Sequence, residues 1–407
     1  MNQTLATNSS AYGELVLGAF EEQKVQEAAR KAREHLGGKA DIAFLFVSCD
    51  LESALPDLIE LVQIHGHCPR VVGCSAGGFI ATGKEEEDKV GISLLFLRLP
   101  GSEVQYFNLQ EYADSSEWKA AQKWNRDCTG WVLLGHPVHI GEDWMGLWNE
   151  AMGSVPTFGG LATGSHRVED LFLFTEKGRV DAAAIAIGFR GKVRLSGLVS
   201  QGCRPIGEPF TITKAEDNVI YQLASKKAYD QLQTTFQSLP SATKERAQGN
   251  ILVGLAMSEY VEDFRSGDFL VRSILGGDPN QGALAVGAMP RVGQTLQFQL
   301  RDREAADSDL RDLLQQKKEE MASAPFGGLL FCCGGRGSHL FGKPNHDAEL
   351  FEQVFGALPM SGFFCNGEIG SVGHKAYVHA YTASGVFFTA PEADSPAGGL
   401  GAEHPDQ

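Results

Sequence analysis

Two charged side chains, Arg336 and Glu368, each stand in a glycine-rich turn at the end of an apolar run. Gly334-Gly335-Arg336-Gly337 follows Leu329 to Cys333, and Gly367-Glu368-Ile369-Gly370 follows Gly362 to Cys365. Consecutive glycines can aim backbone N–H groups at one point, and an arginine adds a planar, always-charged fork suited to a carboxylate or phosphate. Glu368 would receive an ammonium group, so the pair suits a zwitterion. Each has an architectural alternative: Arg336 pairing with a carboxylate such as Glu368, and Glu368 capping the amides of its own turn. The turn lacks the Lys-Ser/Thr of a P-loop, so a nucleoside triphosphate is not indicated.

Other reactive side chains are weaker candidates. Gly73-Cys74-Ser75-Ala76-Gly77 fits G-x-S-x-G, but FIATGKEEEDK after it holds no amphipathic helix, the context a nucleophile elbow requires. Ser75 therefore reads as part of a tight turn near a ligand or strand, with no catalytic residue assigned. Cys74, Cys333 and Cys365 lie just before glycine turns, where a buried thiol is the default and a pocket wall the alternative. His136, His139, His65, His67, His374 and His379 have no accompanying ligand spacing, so neither a metal nor another cofactor is expected. Arg204, in Gln201-Gly202-Cys203-Arg204-Pro205, either faces a cleft or ties its strand to a nearby carboxylate.

The elements that must position these groups repeat along the chain. Residues 43–80 begin with an apolar strand, pass through a helix with Leu51, Leu55, Leu58, Ile59 and Val62 on one side, and reach Pro69; residues 130–167 do the same and reach Pro156. Each proline has a glycine eight positions on, Gly77 and Gly164, and the C-terminal stretch repeats this with Pro359 and Gly367. A longer strand then follows: Val90 to Leu97, Ala182 to Phe189 and Val378 to Phe388. The order strand, helix, strand, strand predicts equivalent units, the second with a hairpin around Glu176-Lys177-Gly178. An opening helix fits Val25, Ala28, Ala29, Ala32 and Leu36, stopped by Gly37-Gly38. Residues 192–212 read as a connector strand, and Ile220, Leu223, Ala224, Tyr229, Leu232 and Phe236 as a helix. A solvated segment at 238–250 precedes the strand ILVGLAM. Two strands follow at 281–300, then a helix through Leu310, Leu313, Leu314 and Met321.

Composition narrows the class. A chain of 407 residues is too long for one ordinary core. Its formal charge of −16 argues against nucleic-acid binding, which needs a basic surface. No apolar run approaches the roughly 18 to 20 residues of a membrane span, and the N-terminus carries no secretory leader. Eight scattered cysteines without C-x-x-C spacing fit a reduced, cytoplasmic setting.

The chain resembles the FIST module, named for F-box and intracellular signal transduction proteins, over about residues 15 to 388. The resemblance rests on Gly73-Cys74-Ser75, Gln201-Gly202-Cys203-Arg204-Pro205-Ile206-Gly207, Cys333-Gly334-Gly335-Arg336-Gly337 with Leu340-Phe341-Gly342, and Pro359, Gly362-Phe363-Phe364 and Gly367-Glu368-Ile369-Gly370 with His379 and Tyr381-Thr382 behind them. It implies an α/β protein of two FIST halves, 15–215 and 216–390, with helices on mainly antiparallel or mixed sheets and a cleft between the halves. Residues 1–14 and 391–407 are expected to be disordered. The resemblance also implies cytosolic sensing of a small ligand, an amino acid or related small anionic metabolite, with output through a signalling partner such as a histidine kinase or another effector. The competing classes are an enzyme with a Cys or Ser nucleophile in the same cleft and an interaction scaffold without a ligand.

Overall fold

The structure is a computed structural model that describes residues 10–390 except 262 and 265. Three copies of one unit form its body. The first runs β1 (Ser10–Leu17), α1 (Glu22–His35), β2 (Ile42–Val47), α2 (Leu55–Gly66), β3 (Val71–Ser75), a hairpin of β4 (Phe79–Ala81) and β5 (Lys84–Glu86), and β6 (Gly91–Arg98). The second repeats the order: β7 (Ser102–Leu109), α3 (Ser116–Asn125), β8 (Cys128–Gly135), α4 (Glu142–Met152), β9 (Thr157–Leu161), β10 (Leu173–Thr175), β11 (Gly178–Val180) and β12 (Ala184–Gly191).

A third unit opens with β13 (Arg194–Gln201) and is interrupted at once. The inserted segment holds β14 (Cys203–Glu216), β15 (Val219–Leu223), β16 (Lys226–Lys227), α5 (Ala228–Ser238), α6 (Ser241–Ala247), β17 (Ile251–Ala256), β18 (Phe269–Asp278), β19 (Ala283–Val286) and β20 (Thr295–Arg301). The unit resumes with α7 (Arg303–Glu320), β21 (Gly327–Cys333), α8 (Gly337–Phe341), α9 (His346–Phe355), β22 (Met360–Cys365), the hairpin β23 (Glu368–Val372) and β24 (Lys375–His379), and β25 (Thr382–Thr389).

The units exchange their hairpins in a ring. The sheets run β1-β6-β2-β3-β10-β11, β7-β12-β8-β9-β23-β24 and β13-β25-β21-β22-β4-β5, so each receives its last two strands from another unit. In each, the third and fourth strands of that order (β2 and β3, β8 and β9, β21 and β22) pair in parallel, and every other pairing is antiparallel. An open edge on β3, β9 or β22 would template foreign pairing, and the exchanged hairpin covers it. Alternation explains the layers: Phe44 and Phe46, Val132 and Leu134, and Leu329 and Phe331 face one shared core, while Leu45, Leu133 and Leu330 face their own units' helices. In the shared core the Phe46 and Phe363 ring centroids lie 4.7 Å apart. One relation recurs in all three units: Gly73, Gly159 and Gly362 sit in register with Leu45, Leu133 and Leu330 of the parallel neighbour, and a Cβ on any of them would fall on that leucine's carbonyl oxygen.

The inserted segment is a barrel. Its order β14-β20-β17-β18-β19-β15, with β15 pairing back to β14, closes six strands on themselves and removes their edges. Its own core gathers Ile212, Ile220, Val253, Leu284 and Phe298.

Several sequence expectations shift. Pro69, Pro156 and Pro359 do precede β3, β9 and β22, but the glycines in register lie four, three and three positions after them, so Gly78 and not Gly77 is the counterpart of Gly367. The connector strand 192–212 breaks at Gly202, whose N–H donates to Tyr381 O. The helix through Ile220 and Leu223 begins only at Ala228; Ala224 and Ser225 take positive φ (48° and 63°) to turn β15 into β16, and the apolar spacing there serves a strand. The solvated segment holds α6, and β18 was not foreseen. The strand 378–388 divides at Tyr381, φ 63°. Residues 10–14 lie in β1 and not in a disordered terminus; 1–9 and 391–407 lie outside the described residues. A cut at 215/216 passes through β14, and units from both sides of it share two of the three body sheets.

Candidate functional site

The two glycine turns lie side by side, because β21 and β22 are parallel neighbours and Gly334 N–H donates to Cys365 O at 2.8 Å. The first turn does collect a carboxylate. Ser338 gives both its N–H (2.7 Å) and its hydroxyl (2.6 Å) to Glu87 Oε1, from the loop after the first unit's hairpin. Gly337, φ 59°, has no room for a Cβ beside that carboxylate, and Gly335 O accepts from the Arg301 guanidinium.

Arg336 turns inward. It is 1% exposed and gives Nε and Nη2 to the two carboxylate oxygens of Asp347 at 2.6 and 3.0 Å. Burial alone would raise Asp347; the Arg336 charge and the hydrogen bonds from His346 and Arg336 outweigh it and hold the carboxyl below its ordinary range. His346 bridges Asp347 (2.9 Å) and Asp307 (2.8 Å). Glu85, on β5, accepts Ala348 N–H at 2.9 Å and is pushed up to about 8 by burial and by the Asp347 charge. This network fastens the first unit's hairpin to the third unit's helix. The partner of Arg336 is thus Asp347, and not Glu368.

Glu368 is also sealed. Its Oε1 accepts Gly367 N–H (3.3 Å) and the Cys365 thiol (3.4 Å), and its Oε2 accepts the Thr382 N–H (3.2 Å) and hydroxyl (2.8 Å). Burial outweighs these bonds and lifts its carboxyl to about 7. His379, opposite Glu368 in register, is bonded through Nε2 to Gly370 O at 3.0 Å, and burial lowers it to about 4.

The other sequence candidates are mostly structural. Ser75 Oγ accepts Phe172 N–H at 3.2 Å inside the sheet. Cys74 and Cys365 are fully buried, and burial raises their thiols and that of Cys333. Arg204 pairs with Asp302 at 3.1 Å. None of the eight cysteines is in a disulfide.

Open space lies next to the turns. A cleft of about 850 Å³ runs between the barrel and the second unit and is floored by Asn366, Gly367, His379 and Ala380 of the third. A second crevice, about 640 Å³, lies over the C-terminal ends of the parallel pairs; Gly77, Gly164, Gly334 and Asn366 line it, the place where open α/β sheets commonly receive ligands. Asn366 belongs to both walls. Of the ligand candidates named from sequence, Gly367 and His379 reach the cleft, as does His139, while Arg336, Glu368, Gly335, Gly337, Cys74, Ser75, Cys333 and Arg204 line neither space.

Sequence reasoning missed Arg272 and Glu142. Arg272, on β18, gives Nη2 to Val378 O at 3.0 Å and lies 3.5 Å from Glu142 Oε1 at the start of α4. Burial draws its guanidinium below the usual range, against the Glu142 charge. The apolar runs Phe269-Leu270-Val271 and Ile274-Leu275 were the available signal for β18; nothing local marks Arg272 as reaching another unit.

The FIST N domain matches residues 41–226 and the FIST C domain residues 227–371. This chain belongs to the FIST family. An uncharacterised Mycobacterium tuberculosis protein is 33% identical over 366 residues, 89% of this chain and 95% of its own length. An uncharacterised Mycobacterium bovis protein is 29% identical over 371 residues, 90% and 95% of the two chains. An Arabidopsis thaliana F-box/LRR-repeat protein is 36% identical over 106 residues, 25% of this FIST chain and 20% of its own. FIST domains are generally linked to sensing in signal transduction. Among the described residues no helix is long and apolar enough to cross a membrane.

Proposed function

We propose that this FIST chain is a small-ligand receptor in signal transduction, with the ligand in the cleft between the barrel and the second unit. The observation that carries this reading is the cleft itself: about 850 Å³, within the usual range of small-molecule sites, with the Arg272–Glu142 ion pair in its wall. A ligand there touches three units' worth of structure at once, the barrel through Leu275 and Met289, the second unit through Trp144, and the third through Gly367. Its binding energy would bias how the barrel sits on the body, and a cytoplasmic protein partner, such as a histidine kinase, would read that position. The ligand is a small metabolite.

Binding is favoured over catalysis by the state of the nucleophiles. Burial raises the thiols of Cys74, Cys332 and Cys365 far above neutrality, and Ser75 is closed inside its sheet. A thermal-shift screen of metabolites tests the reading: a ligand of the native state raises the midpoint and emerges unchanged. A screen in which no compound moves the midpoint, or in which the hits are turned over, would reject it.

A further inference from the structure

We infer that the cleft selects a molecule with a protonated amine at one end and an apolar body at the other, an inference that rests on the cleft being the ligand site. The charge around the cleft is negative: Glu111, Glu142 and Asp143 against Arg272 alone, a formal −2 with histidines neutral. Arg272 is poorly placed to recruit an anion, because its Nη1 donates to Val271 O and its Nη2 to Val378 O, both at 3.0 Å, with Glu142 beside it. An incoming carboxylate would have to displace Glu142 and face the remaining acids; an ammonium group meets a carboxylate already held in place.

The apolar half of the inference comes from the mouth. Nine large hydrophobic side chains are exposed among the described residues, and five of them, Tyr112, Val138, Leu147, Leu275 and Met289, ring this one cleft. Apolar groups scattered singly over a surface need no account, but their collection around a cavity marks a binding surface. Trp144, 3% exposed, continues the apolar wall inward beside Glu142. An ammonium at Glu142 thus places its carbon body against Trp144 and then the mouth.

Calorimetric titration of the full chain at pH 7 with hexylamine, phenethylamine, hexanoate, 3-phenylpropionate and hexan-1-ol tests this, with folded fractions checked throughout. Both amines should bind, and the carboxylates and the alcohol should bind at least about tenfold more weakly, the difference expected of one charge-assisted hydrogen bond. Glu142→Gln should lower amine affinity about tenfold and, by releasing Arg272, raise carboxylate affinity. Asp143→Asn gives an independent, smaller loss of amine affinity should Glu142→Gln fold poorly. Carboxylates that bind wild type as well as the amines would overturn the charge assignment while leaving the cleft as the site, and so would a panel in which nothing binds while screen hits still do. If Leu275→Trp with Met289→Trp, which crowds the mouth, leaves amine and screen-hit affinities untouched, the cleft itself is the wrong place.

Discussion

Arg336 holds both oxygens of Asp347, at 2.6 and 3.0 Å, across a turn that the sequence alone presents as an anion clamp. The geometry explains why a glycine-rich turn with an arginine is not by itself a ligand site. A buried guanidinium must be matched, and Asp347 at the start of α9 matches it bidentately before any ligand arrives. Arg336→Lys should therefore destabilise the fold by on the order of 2 to 4 kcal/mol, since an ammonium cannot span both oxygens. Chemical denaturation gives that number, and calorimetry on the folded fraction should show ligand affinity within about twofold of wild type.

Two raised carboxyls make stability fall as pH rises. Glu368 at about 7 and Glu85 at about 8 keep protons in the native state that the unfolded chain surrenders above its ordinary 4.5. Stability from each is complete below 4.5 and is lost up to its folded value. His379, lowered to about 4 from 6.5, works oppositely and loses stability as pH falls from 6.5 to 4. Above pH 6.5 only the glutamates of these three act. At about 1.4 kcal/mol per unit, the loss from pH 6.5 to 8 is about 2 to 3 kcal/mol. Glu85→Gln, which imitates the protonated acid beside Asp347 and Arg336, should remove most of that slope in denaturation measured at each pH. An unaltered slope would show that Glu85 does not hold its proton.

The glycines of the parallel pairs should be among the least replaceable residues. Gly159→Ala and Gly362→Ala each set a methyl group on a backbone carbonyl of the neighbouring strand, Leu133 O and Leu330 O, where no side-chain rotation relieves it. A loss on the order of 3 kcal/mol or failure to fold is expected. Gly146→Ala, on α4 with open space around its Cβ, is the control and should be neutral or slightly stabilising by thermal melt.

What the sequence disclosed and what it hid follow from range. The strand β2 was legible as the unbroken apolar run Ile42–Val47, and the three units from the recurring order of strand, helix, proline, short strand and glycine turn. The hairpin exchange was not legible. β4 and β10 are three residues each, and nothing in three residues says which unit's edge they cover. The barrel misled through Ile220, Leu223 and Ala224, whose spacing suits a helix until the backbone turns left-handed at Ala224. For the site, the turns were located and shown to adjoin open space through Gly367, but the partner of Arg336 had to be chosen among 51 acidic residues. Arg272 and Glu142 meet across 130 positions only because the insertion folds back onto α4.

The measurement that bears most directly on the cleft is the change in Trp144 environment on binding. Trp144 lines the cleft wall, 3% exposed, and Trp118, Trp124, Trp131 and Trp148 sit in the same unit's helical layer. A ¹H–¹⁵N titration of the indole N–H signals, assigned by single Trp→Phe substitutions, separates them. With any ligand found by the thermal-shift screen, the Trp144 indole and the Asn366 side-chain amide should shift together and saturably, and Leu275→Trp with Met289→Trp should abolish both shifts. Saturable binding that leaves Trp144 and Asn366 unmoved would contradict the cleft as the receptor site.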